Sequence, residues 1–177
     1  MARIIKKKER SGQSLIEVMV AITVLTVGFL GISALLSQSL ALNRITTNEI
    51  TGTYLASEGI EIAKNLIDYD VHDPTGTGWG TCFTGRGTTD FQFDYTISDC
   101  NDPSELTPYD SSVSLWYHPD THLYNYESNG GIATSFTRLI RVVINGDEAT
   151  VNSIVTWSNL GGTQESVNLE DHFYKWY

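Results

Sequence analysis

The stretch Lys6-Lys-Lys-Glu-Arg-Ser-Gly-Gln-Ser-Leu-Ile-Glu-Val-Met-Val20, followed by an apolar run to Leu42, decides how the rest of the chain is read. From Val18 to Asn43 no residue is charged, and Arg44 closes the run. A helix needs about 20 apolar residues to cross a bilayer core about 30 Å thick, so a span is expected at about residues 18–42. Five basic residues, Arg3, Lys6, Lys7, Lys8 and Arg10, precede it. Basic flanks stay in the cytoplasm. The expected topology is therefore single-pass in the cytoplasmic membrane, N-terminus inside and the remainder outside.

Glu17 does not suit a plain anchor. It sits between Leu15-Ile16 and Val18-Met19-Val20, where a carboxylate costs up to about 3 kcal/mol at mid-membrane depth and calls for a partner. A cut between Gly12 and Gln13 would create an α-amine one helical turn away on the same face, and it would remove the basic leader. Two plainer readings explain less. A signal peptide cleaved after Ala41 would have an unusually long apolar region interrupted by Glu17, and an uncleaved anchor would leave Glu17 without a cation.

Gly12-Gln13-Ser14-Leu15-Ile16-Glu17-Val18 resembles the leader junction of type IV prepilins and type II secretion pseudopilins. The resemblance implies that prepilin peptidase cuts after Gly12 and methylates residue 13, with Glu17 at the fifth mature position serving assembly. The family usually has Phe after the cut; Gln13 is more similar to minor pilins and pseudopilins. Weaker similarity extends to Tyr54-Leu55-Ala56-Ser57-Glu58-Gly59-Ile60-Glu61, to Phe136-Thr137-Arg138 and to Val155-Thr156-Trp157. The implied partners are prepilin peptidase, other pilin subunits through the N-terminal helix, an inner-membrane assembly platform, and the membrane itself before assembly.

Loss of residues 1–12 removes five basic residues and one acidic residue, leaving 6 Lys and Arg against 20 Asp and Glu, a net charge of −14. Such a surface repels nucleic acid, so no nucleic-acid partner is expected unless Arg138 and Arg141 form a local patch. Cys82 and Cys100 would both lie outside the membrane. The pair reads as a disulfide worth about 3 kcal/mol in the chain-entropy model, with two free thiols as the alternative.

After the leader (1–12), one helix is expected over 13–67. From Ser14 to Ile67 it would measure about 80 Å at 1.5 Å per residue. Leu55, Gly59, Ile62 and Leu66 form a stripe flanked by Ala56 and Ala63, which turns one face toward a domain. Gly28 and Gly31 permit close helix approach within the membrane half, and any unwinding on assembly would fall there. Asp68 to Gly80 reads as a loop; its acids Asp68, Asp70 and Asp73 lack the glycine and terminal Glu of an EF-hand.

Beyond it the period becomes 2. Phe91 to Ile97, Val113 to Tyr117, Leu123 to Tyr126, Phe136 to Ile144, Val151 to Trp157 and Ser166 to Phe173 read as strands, with Asn145-Gly146 as a hairpin signal. The expected fold is α+β: a long N-terminal helix, half transmembrane and half amphipathic, packed on an antiparallel meander in a globular domain spanning 68–177, as the pilin resemblance implies.

No catalytic constellation emerges. His118-Pro119-Asp120-Thr121-His122 offers two imidazoles and a carboxylate, but proline prevents a helix from aligning them, and a polar hairpin turn is expected instead. No nucleophile elbow, phosphate loop or zinc-cysteine pair occurs. The nine Tyr and four Trp suit either a core or an adhesive face. The expectation is a non-enzymatic chain without cofactor or metal: a subunit of a type IV pilus or pilus-like filament, of the minor kind. The alternatives are a pseudopilin of a type II secretion or DNA-uptake machine, and a membrane-tethered adhesin that never polymerises.

Overall fold

The computed structural model describes residues 13–72, 78–97, 106–159 and 162–176. The chain divides into two units between Ile45 and Thr46, and helix α1 (Gln13–His72) contributes to both. In the first unit α1 carries the uncharged run. Its Thr23 and Thr26 hydroxyls donate to carbonyls one turn back, Thr26 to Ile22 at 2.9 Å, which satisfies them without water.

In the second unit α1 packs on an antiparallel sheet, giving the α+β architecture. The strands are β1 (Asp90–Gln92), β2 (Thr107–Pro108), β3 (Trp116–His118), β4 (Leu123–Asn125), β5 (Ile132–Ala133), β6 (Thr137–Asn145), β7 (Glu148–Ser158) and β8 (Gln164–Tyr174). The main sheet has the order β2-β1-β6-β7-β8, and a small second sheet has the order β4-β3-β5. Alternate residues of β7 are buried, Ala149, Val151, Ser153, Val155 and Trp157, as one covered face requires. Against them α1 sets Leu55, Ala56, Ile62, Ala63, Leu66 and Ile67, all buried. The helical stripe read from the sequence is thus the buried face.

The turn between β6 and β7 pairs Asn145 with Glu148, so Gly146 and Asp147 form its centre. Gly146 has φ +63°, the left-handed value that a II′ turn places at its first central residue.

Three expectations differ from the structure. The domain is no single meander: β1 pairs with β6 and the small sheet stands apart. The first strand stops at Gln92, because Asp94 turns the chain; its Oδ1 accepts from Thr96 N at 2.9 Å and its Oδ2 from Tyr126 N at 2.8 Å. The helix continues through His72 where a loop had been expected. Asp70 is buried there, accepting from Thr81 Oγ1 at 2.5 Å and Cys82 N at 3.1 Å. It anchors the following segment rather than sitting in an acidic loop. Asp73 lies outside the described residues.

Gly59 is a point of close approach between α1 and the sheet. A Cβ there would lie 2.4 Å from Ser153 Oγ and 3.2 Å from Arg138 Cδ. Alanine normally favours a helix over glycine by about 1 kcal/mol, but overpacking costs about 1–3 kcal/mol. Gly59→Ala is therefore expected to lower stability, seen as an earlier denaturant midpoint; a later midpoint would contradict the packing.

Candidate functional site

The first candidate site is the N-terminal part of α1. Gln13 is its first described residue and Glu17 follows one turn on. The side chains after Glu17 are open: Leu25 is 71% exposed and Phe29 68%. An apolar surface of this length needs lipid or other helices to cover it, and α1 is long and apolar enough to cross a membrane, with a mean hydropathy of 2.4 in its most apolar stretch. Glu17 meets no cation among the described residues. Gly12 and Cys100 lie outside them; Cys82 is buried and is not a free thiol.

The second feature is a buried cation that sequence reading had set down as a possible surface patch. Arg138 is wholly buried. Its guanidinium donates to Leu55 O at 3.1 Å, to Glu58 Oε2 at 3.3 Å and to Phe93 O at 2.9 Å, so one side chain ties α1, β6 and the segment after β1. Burial pushes the Glu58 carboxyl up despite the attraction of Arg138, as expected where desolvation exceeds the ion-pair gain. Tyr126 donates to the Arg138 carbonyl at 3.2 Å, and burial pushes its phenol up to about 12. Arg141 is bidentate to Asp90 at 2.6 and 2.7 Å. The two arginines therefore form no basic patch. The alternation Phe136, Arg138, Ile140, Val142 puts Arg138 on the inward face, and that signal could have found it.

His118 and His122 serve the β3–β4 turn. His122 has φ +59°, its N–H donates to His118 O at 2.8 Å, and its Nδ1 lies 2.9 Å from the Tyr117 hydroxyl. His118 Nε2 lies 3.0 Å from Glu127 O. Among the described residues, no three His, Cys, Asp or Glu side chains converge as a metal site.

A last cluster lies on the edge strand β8. His172 Nδ1 is 2.8 Å from Glu148 Oε1 and Nε2 is 3.2 Å from Glu170 Oε1. Carboxylates only accept, so both contacts are hydrogen bonds only when the imidazole carries two protons. Hydrogen bonding to Glu148, then to Glu170, raises His172 above its usual 6.5. Hydrogen bonds from His172 and Tyr174 lower Glu148, and those from Asn152 and His172 lower Glu170, from the usual 4.5. The His172 contribution is complete below about 6.5 and lost as pH rises through the raised value; the glutamate contributions are complete above about 4.5 and lost as pH falls. Amide-exchange protection of β8 should therefore peak between those limits, and His172→Gln should remove the decline on the alkaline side. Protection independent of pH from 4 to 9 would refute the coupling.

Residues 7–33 match the family model of the prokaryotic N-terminal methylation motif, the type IV prepilin-type signature. No curated protein and no solved structure matches the chain. The signature, with a long apolar N-terminal helix and an α+β domain, supports a type IV pilin-like or pseudopilin protein and points to a structural subunit. It implies processing by prepilin peptidase and assembly with other pilins, and it fits a membrane-anchored chain.

Proposed function

We propose that the chain is a minor subunit of a type IV pilus or pilus-like filament. Prepilin peptidase cuts between Gly12 and Gln13 and methylates the new amine of Gln13. The subunit waits in the cytoplasmic membrane with its domain outside. An assembly platform then extracts it, the exposed run from Val18 to Leu42 enters a core of like helices, and Glu17 pairs with the N-terminal amine of a neighbour to set axial register. Cys82 and Cys100 form a disulfide that closes the segment beside α1.

The observation carrying this reading is the methylation signature over 7–33 on a chain whose helix α1 exposes the apolar side chains from Val18 to Leu42. Gln13 in place of the usual phenylalanine favours one further reading, a pseudopilin of a secretion or DNA-uptake machine. Electron microscopy of a deletion strain separates them. Loss of surface filaments supports the pilin; intact filaments with failed secretion or uptake support the pseudopilin.

A further inference from the structure

A cleft of about 440 Å³ lies where β6 begins, β7 ends and β8 begins. Of the nine described residues that line it, six are Ser or Thr, one is Gln164, and two are aromatic, Tyr109 and Trp157. None is charged, on a chain with a formal charge of −10. The side chains of Ser114, Ser135, Thr156, Ser158 and Gln164 make no hydrogen bond among the described residues. Their donors and acceptors are thus free for a ligand.

The surrounding walls are already fixed. Asp110 Oδ1 accepts from Ser112 N and Oγ, both at 2.8 Å, while the Asp110 N–H donates to Gln92 Oε1 at 2.9 Å. Tyr109 N donates to Asp90 O at 3.0 Å, and Leu115 N to Phe136 O at 2.8 Å. Such a frame lowers the ordering cost of binding.

The lining chemistry narrows the ligand. An anion would find no cation among the described lining residues, and Asp110 and Glu165 flank the lining in sequence. A cation would find no carboxylate among those same residues. An apolar group would strip water from several hydroxyls without replacing their hydrogen bonds. A polyhydroxylated neutral molecule satisfies them and can rest an apolar face on the Tyr109 ring. The geometry points to a binding site for a neutral saccharide, in a cleft of the size usual for small-ligand sites. This assignment stands apart from whether the subunit polymerises.

The test uses the full chain in a zwitterionic detergent without a sugar headgroup, titrated by calorimetry with soluble neutral oligosaccharides (maltose, lactose and cellobiose series) and sialyllactose. Binding of at least one neutral sugar at millimolar concentration or below is expected, with sialyllactose weaker. Thr156→Val and Ser158→Ala remove one hydroxyl each with little change of shape. Each should weaken binding roughly tenfold, the usual size of one lost ligand hydrogen bond, with the circular dichroism spectrum unchanged. No heat with any neutral sugar, preference for sialyllactose, or undiminished affinity in both variants would overturn the site. So would cross-linking of Ser135→Cys to a second copy in assembled material, which would give the cleft to a subunit contact.

Discussion

Replacing Glu17 with valine is expected to abolish incorporation into filaments while leaving insertion in the membrane intact. The carboxylate sits where low dielectric makes an unpaired charge costly and a paired one strong. Without it, an incoming subunit loses the interaction that distinguishes correct axial register from a slide along an otherwise uniform apolar helix, because Val18 to Asn43 offers no other charge. The variant should accumulate in the membrane fraction, processed, at normal level, and be absent from sheared filaments. Glu17→Asp, which keeps the charge on a shorter stem, should retain partial assembly. Normal incorporation of the valine variant would remove the ion pair from the account and favour a tethered domain that does not polymerise.

The second large effect concerns the domain's stability. Arg138→Met should destabilise the domain by about 3 kcal/mol, the lower end of the range for removing one partner of a buried pair, since the Glu58 side chain keeps 30% exposure. The loss has three parts: the Leu55 and Phe93 carbonyls lose a donor, and Glu58 is left half-buried without its cation. The guanidinium is itself imperfectly served, as its Nε has no partner among the described residues. Removing Glu58 as well should therefore recover the part that its unpaired carboxylate costs, so Arg138→Met with Glu58→Leu is expected to be more stable than Arg138→Met alone and less stable than wild type, the two carbonyls remaining without their donor. Chemical denaturation of the single and double variants measures the coupling. A double variant as unstable as the sum of the two single ones would mean that the pair is not coupled.

These two sites differ in how far the sequence revealed them. Glu17 stands out in the sequence because an acid in a long apolar run is costly without a partner, and the methylation signature spans it, at 7–33. The helical stripe from Leu55 to Leu66 was legible because offsets of three and four persist over several turns, and all of it is buried. Arg138 was not read as core, because a charged side chain is seldom buried unless paired, and its partners come from Leu55, Glu58 and Phe93, far away in sequence. The small sheet was legible only in part: the strands read at Val113 to Tyr117 and Leu123 to Tyr126 overlap β3 and β4, whereas β5, two residues long, is too short to show a period, and no local pattern records that the three leave the main sheet. Asp94 and Asp70 ended or extended elements through side-chain hydrogen bonds that no periodicity records.

The central claim is that the chain is processed as a prepilin, and intact mass with N-terminal peptide mapping of the protein from its native membrane tests it most directly. The account predicts a chain beginning at Gln13 with one methyl group on its α-amine. A chain beginning at Met1 or at Leu42 would contradict it, and the protein would then be an anchored or secreted binding module.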